Sequence, residues 1–271
     1  MPKKQRPIKT EETFEDSWKF ARVKLEPGHG EAAEHFFTPP ETPLAHACAD
    51  EAERLLAAEQ YAAAVVQLQR AIDLGHLPSR ALMAWLLIDG RKGVAQDRVR
   101  AFELAEEGAR LGCHHCQGVS AWCYFGGFGW ELETEATAVE FARESSRRGS
   151  KYGHAMLGRL HELGQGRLAE DNAQAVVFYR LAAAQGLDAA QNLLGYMHHY
   201  GLGVERDYAE ELRWYQLAAA QGYPAALYNV ACAHQHGEGV AKSKEEAIRW
   251  YRRAQAAGYP SAAKKLRELR A

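Results

Sequence analysis

Large and small apolar residues alternate at helical spacing along most of the chain, and the pattern recurs at steps of 36 or 37 residues. Within each unit a large side chain is followed four residues later by a small one, as Trp214 is by Ala218 and Trp250 is by Ala254. Residues four apart lie on one face of an α-helix, so bulk on one helix can fill the gap beside small residues on another. The pattern therefore predicts an array of closely packed, repeated helices.

Glycine and aspartate mark the ends of the predicted helices. One glycine closes each unit, at Gly75, Gly112, Gly149, Gly186, Gly222 and Gly258. A second glycine loop falls inside the unit and reads Gly201-Leu202-Gly203-Val204 in its clearest copy. Glycine ends helices because it adopts the left-handed backbone conformation at little cost. Residues that suit helix N-caps follow the loops, at Asp97, Asp171, Asp207 and Ser243. Each unit is thus predicted to be one helical hairpin.

These residues resemble the Sel-one-like repeat (SLR) family of the tetratricopeptide superfamily. The family pattern of Leu-Gly, Gly-x-Gly-Val, Asp, Trp-Tyr and Gln-Gly is matched best over residues 189–260. Residues 115–149 lack the loop valine, the capping aspartate and the Trp-Tyr pair, and residues 45–75 read as a plain tetratricopeptide hairpin. The resemblance implies an all-α fold, a right-handed α-solenoid of about six helical hairpins plus a C-terminal capping helix.

Two regions are predicted. Residues 45–271 form the solenoid, with a half unit at 261–271 as its capping helix. Residues 1–44 form an N-terminal arm that is interrupted by proline and carries the aromatic residues Phe14, Trp18, Phe20, Phe36 and Phe37. Because aromatic residues in a polar segment indicate docking, the arm is expected to be poorly ordered or to pack on the solenoid.

Composition limits the classes of partner. The 271 residues are 47% hydrophobic and 25% charged, with a formal net charge of −2, so no basic excess favours a nucleic-acid partner. No apolar run is long enough for membrane insertion, and no signal peptide follows the basic start. We expect a cytoplasmic, monomeric protein without a cofactor. Its five scattered cysteines suit reduced thiols, and the disulfide framework of secreted relatives is missing.

One cysteine–histidine cluster has the residue types of a zinc site. Cys113, His114, His115 and Cys116 offer two thiolates and two imidazoles, yet no second pair stands at zinc-finger spacing. Cys116 falls in a column of small residues, which favours packing over metal binding. A metal-dependent or redox-responsive regulator that uses Cys113 and Cys116 remains an alternative. His161, His198 and His234 share another column and are expected to be core aromatic residues.

The candidate partner-binding residues lie on the first helix of each hairpin, eight, five and one residues before the loop glycine. Solenoids present this face on their concave wall, and Trp, Tyr and Arg dominate binding energy at interfaces. The predicted set is Trp85, Trp122, Arg159, Tyr196, Tyr200, Asn229 and His236. In the SLR family the first of these three columns often holds an Asn that grips peptide backbone, and Asn229 carries that role over.

We therefore predict a non-catalytic scaffold or adaptor, of bacterial type, that binds a peptide or helix of a partner protein in its concave groove. The N-terminal arm covering the same groove is an alternative. Some secreted relatives bind or slowly hydrolyse β-lactams, which gives a further alternative. The sequence lacks Gly-x-Ser-x-Gly, phosphate-loop and His-Glu-x-x-His motifs, which disfavours an enzyme.

Overall fold

A computed structural model describes residues 42–127 and 134–270, and the predicted N-terminal arm lies outside the described residues apart from its last three. The described ranges contain thirteen α-helices that form six successive hairpins and a final single helix, and this confirms the predicted all-α solenoid. The helices are α1 (Pro43–Ala57), α2 (Tyr61–Asp73), α3 (Leu77–Asp89), α4 (Arg98–Arg110), α5 (His114–Phe125), α6 (Thr134–Arg147), α7 (Lys151–Leu163), α8 (Asn172–Ala184), α9 (Asp188–Tyr200), α10 (Tyr208–Ala220), α11 (Pro224–His236), α12 (Lys244–Ala256) and α13 (Ala262–Arg270).

Side-chain caps begin the second helix of four hairpins, as predicted. Asp97 and Asp171 each accept a hydrogen bond from the amide three residues on, at 2.9 Å. Asp207 accepts from two amides, and Ser243 accepts from the amide of Glu246 at 3.2 Å. Such caps satisfy amides that the helix itself leaves unpaired, and each stabilises a helix by about 1 kcal/mol.

The second glycine of the loop sets how closely successive hairpins stack. Gly203 has φ +67°, and a Cβ there would overlap the backbone of Asn172 at the start of α8. Gly239 repeats this arrangement against Tyr208 at the start of α10. Two requirements thus coincide at this position: a left-handed backbone and contact with the preceding unit. Only glycine meets both without strain.

Tyr215, rather than the preceding Trp214, fills the gap that a small residue of the facing helix, Gly195, leaves. Tyr215 is 5% exposed, whereas Trp214 is half-buried with the guanidinium of Arg213 5.0 Å from its ring. A Cβ added to Gly195 would lie 2.5 Å from the Tyr215 ring. The prediction that a large side chain fills the gap beside small residues is correct. The large residue is Tyr215, one position after the predicted Trp214, because position 215 points between the two helices.

Replacing Gly195 with alanine tests this packing. Alanine normally favours a helix over glycine by about 1 kcal/mol. At Gly195 we expect the opposite sign, a loss of about 1–3 kcal/mol in the free energy of unfolding, because the methyl group overlaps the Tyr215 ring. Denaturant unfolding of Gly195→Ala, alone and in a Tyr215→Leu background, measures this. A neutral or stabilising effect in the wild-type background would contradict the contact.

Candidate functional site

The structure divides the seven predicted partner-binding residues, which we call the binding stripe, into a buried part and an open part. Trp85, Trp122 and Arg159 are 4%, 2% and 9% exposed, so their side chains lie inside the molecule. The Trp85 and Trp122 rings meet edge to face with centroids 5.6 Å apart, and the Trp122 indole N–H donates to the carbonyl of Tyr152. Their role as partner contacts stays a prediction, but their side chains do not lie on a solvent-exposed concave wall as expected.

The two tryptophans lie where the solenoid curls back on itself, whereas Arg159 pairs with Glu162 of its own helix at 2.9 Å. Arg91, in the loop after α3, donates from Nη2 to Oδ2 of Asp188 at the start of α9, 2.7 Å away. Both side chains are almost fully buried. The indole N–H of Trp85 reaches the other carboxylate oxygen at 3.4 Å, and Arg91 also lies over the ring of Tyr223. The second hairpin therefore contacts the fifth and sixth across the inside of the curve.

The first hairpin takes part in the same closure. The hydroxyl of Tyr61 donates to the carbonyl of Gln221, 160 residues away, at 2.6 Å. Burial is the main reason that the pKa of Tyr61 rises to about 12. Glu59 lies 3.4 Å from Arg253, although both side chains are well exposed and such pairs contribute little. The N-terminal half of the groove is thus closed by the chain itself.

A small cavity remains inside the closed half, with a volume of about 200 Å³. Its walls include Glu53, His76, His115, Lys151 and Tyr152. Burial lowers the pKa of Lys151 and lowers that of His115 to about 4. Sites for drug-sized ligands usually enclose about 300–1,000 Å³. The cavity is therefore smaller than a site for a drug-sized ligand such as a β-lactam would usually be.

The open part of the stripe lies on α9 and α11. Tyr200 is 48% exposed, and its ring lies 4.7 Å from that of the half-buried Tyr196. His236 is exposed on the neighbouring helix. The half-buried Asn229 donates from its side-chain amide to Oδ1 of Asn192 at 3.0 Å. Aromatic and amide groups from two adjacent hairpins thus share one accessible surface, which we call the α9–α11 face.

Cys113 and Cys116 stand at the start of α5. Sγ of Cys113, the N-cap residue, accepts from the amide of Cys116 at 3.4 Å. A hydrogen bond from the Cys116 thiol lowers the pKa of Cys113, and the same contact raises that of Cys116. Cys116 is fully buried, and any side chain at Gly108 would overlap its sulfur, so it packs as its column predicts. His115 is directed to the hydroxyl of Ser150, 3.1 Å away.

Sequence reasoning missed a second cluster of possible metal ligands. In the described part of the chain, the one group of three such side chains with converging donor atoms is His199, Glu211 and Glu238. Each offers a donor atom, and these atoms lie within 4.8 Å of one another. The sequence does hold a signal for it, because Glu211 replaces an alanine that the other capped units carry four residues after the cap.

Comparison with known proteins identifies the repeat. The family model of the Sel1 repeat matches residues 78–113, 151–187, 188–223 and 224–259, more than half of the chain. The chain belongs to the Sel1 repeat family. The match leaves out the α5–α6 hairpin, the unit in which the sequence has lost the loop valine and the capping aspartate. Sel1 repeat proteins are commonly protein-interaction scaffolds and are generally non-catalytic.

Solved structures of bacterial Sel1-type proteins share the fold. A protective antigen of uropathogenic Escherichia coli with an SLR fold is 26% identical, with a TM-score of 0.51. The match covers 82% of this Sel1 repeat chain and 48% of the antigen, so the chain spans about half of that protein's length. A Sel1 repeat protein of Oxalobacter formigenes is 23% identical over 82% and 89% of the two chains, with a TM-score of 0.56.

An immunity protein from Pseudomonas aeruginosa is 18% identical to this Sel1 repeat chain and has a TM-score of 0.50, covering 83% and 89% of the two chains. No curated protein matches the chain. None of the helices within residues 42–127 and 134–270 is long and apolar enough to cross a membrane. The comparisons therefore show the family and the fold.

Breaking the buried pair tests the closure of this Sel1 repeat solenoid. Arg91→Met leaves the Asp188 carboxylate buried without its cation, and we expect the free energy of unfolding to fall by about 3–5 kcal/mol. Denaturant unfolding measures the loss, and small-angle scattering should show a larger radius of gyration. Arg213→Met, which breaks an exposed pair with Glu210, is the control and should cost at most about 1 kcal/mol. Equal losses in the two variants would argue against a closing role for Arg91.

Proposed function

We propose that the protein is a non-catalytic adaptor that binds a peptide or helix of another protein on its α9–α11 face. The observation that carries this proposal is the exposed Tyr200 ring, paired with Tyr196 on the part of the stripe that the closure leaves open. Tyrosine contributes strongly to interface energy because a large, rigid ring is ordered at little entropic cost. The general scaffold character of the Sel1 repeat family supports the same conclusion.

The chemistry of the α9–α11 face suits an extended peptide. Residues four apart on a helix share a face, which aligns Asn192, Tyr196 and Tyr200 along α9. Asn229 uses one amide N–H for Asn192, and an amide group has a second N–H and an acceptor oxygen. We expect these groups to bond the peptide backbone while the two tyrosine rings contact apolar side chains. Burial makes Trp85, Trp122 and Arg159 structural in the closed form, so the proposed contacts are Tyr196, Tyr200, Asn229 and His236.

Substitution of the two exposed residues tests the adaptor. Tyr200→Ala with His236→Ala should leave helicity and melting temperature unchanged, because neither side chain is buried. Affinity co-purification from the native host should lose a partner that the wild type retains, and the purified partner should bind at least tenfold more weakly. The control removes exposed apolar groups from α8, with Val177→Ala and Leu181→Ala, which are 48% and 45% exposed. Loss of the partner only in this control variant would indicate that the partner binds the exposed surface of α8 instead.

A redox-responsive role for Cys113 and Cys116 is a second candidate, favoured by the hydrogen bond that lowers the pKa of Cys113. A thiolate is the reactive form of cysteine, and a lowered pKa provides it at neutral pH. We expect Cys113 to be alkylated by a small reagent at lower pH than Cys123, whose pKa is raised by burial. In Cys116→Ala the midpoint for Cys113 should move to higher pH. An unchanged midpoint, read by mass spectrometry of the labelled peptide, would remove the basis for this role.

A further inference from the structure

A carboxylate occupies a position where the repeat elsewhere holds a methyl group. Four residues after the cap, three units have Ala101, Ala175 and Ala247, each fully buried. The α10 helix has Glu211 in that place, with 2% of its surface exposed. Burying a charge in this way costs several kcal/mol unless positive charge and hydrogen bonds compensate. An ionised Glu211 therefore needs positive charge close by.

The carboxylate is directed at two neighbours that also carry ligand atoms. Nδ1 of His199, near the end of α9, lies 3.0 Å from Oε2 of Glu211. That oxygen is buried and takes part in no hydrogen bond, so the two atoms are close without hydrogen-bonding geometry. Glu238, in the loop that follows α11, brings a second carboxylate within 4.8 Å of both. Three donor groups from two successive hairpins thus converge on one point.

The charges of the three side chains favour a cation between them. If His199 were protonated, the two carboxylates would still leave the cluster with a net charge of −1. A divalent ion beside a neutral imidazole brings it to zero.

Imidazole nitrogen with carboxylate oxygen is a donor set typical of zinc and its neighbours among the divalent transition metals. Ligands about 2.0–2.2 Å from a zinc ion lie roughly 3.4 Å apart in a tetrahedral site. The 3.0 Å pair of His199 and Glu211 is already close to that separation. Glu238 is a half-buried loop residue whose donor atom lies within 4.8 Å of the other two, so it needs to approach by at most about 1.4 Å for the same zinc geometry.

We propose that His199, Glu211 and Glu238 bind one divalent transition-metal ion, with zinc as the best-matched metal. Water would complete the coordination, as is usual where a protein supplies three ligands. The ion would join the α9–α10 hairpin to the loop between α11 and α12. It would therefore stabilise the interface between the fifth and sixth hairpins, α9–α10 and α11–α12.

Zinc titration of the full-length protein tests the proposal. The protein is freed of metal with a chelator and titrated with zinc chloride, by calorimetry and by thermal unfolding. We expect one zinc ion per chain at this site and a melting temperature that rises with zinc. Glu211→Ala restores the alanine of the other units, so it should fold without loss of metal-free stability. It should also lose this zinc ion and the associated rise in melting temperature.

Two further variants separate this site from the other candidate ligands. His199→Gln places the residue found at the equivalent position 235, and it should weaken zinc binding at least tenfold. Cys113→Ser with Cys116→Ser should keep both the zinc stoichiometry and the thermal shift. The proposal is overturned if Glu211→Ala binds zinc as the wild type does, or if the cysteine variant loses the ion. A lower metal-free stability of Glu211→Ala, with no zinc response in the wild type, would show a simple ion pair instead.

Discussion

The buried pair of Arg91 and Asp188 fixes the shape on which the rest of the molecule depends. Desolvation makes such a pair expensive, so it persists only when every polar atom is bonded. Asp188 accepts from Arg91, from the indole of Trp85 and from the amide of Ala189 at the start of α9, where the helix dipole also favours negative charge. Arg91 in addition donates to the carbonyl of Gly90. This bonding holds hairpins together that are far apart in sequence.

Closure gives two roles to one repeated column of residues. The positions five before the loop glycine hold Trp85 and Trp122 in the early units and Tyr196 in the α9 unit. The early pair packs inside the curve, whereas Tyr196 is only half-buried beside the exposed Tyr200. A binding face and a core can thus share one sequence pattern, since the curvature of the solenoid decides which residues meet solvent. The proposed binding face is therefore confined to the end of the stripe that the closure leaves open.

The sequence predicts the features that depend on contacts within one hairpin, and it misses the contacts that join distant hairpins. The caps at Asp97, Asp171 and Asp207 depend on amides two or three residues away, so residue type and spacing are enough to find them. The contact between Arg91 and Asp188 spans 97 residues. Neither residue stands out from the repeat pattern, so the sequence does not indicate that the two meet. The Trp85 indole also reaches Asp188 and the Trp122 ring packs on that of Trp85, so the burial of both depends on contacts that the sequence pattern does not show. Glu211 is different, because comparison with Ala175 and Ala247 in the same column already marks it as exceptional.

The cluster at Glu211 and the α9–α11 face are physically linked through neighbouring residues of α9. The His199 ring lies 4.5 Å from that of Tyr200 and meets it edge to face. Repeat arrays derive their stability from interfaces between adjacent units, so a bond between α10 and the loop at Glu238 acts on the interface that also positions α9 against α11. An ion held there would limit the rotation of His199 and restrict the adjacent Tyr200 ring. Preorganising an interface residue raises affinity by reducing the entropy lost on binding. If both proposals hold, metal occupancy should therefore strengthen partner binding without the metal touching the partner.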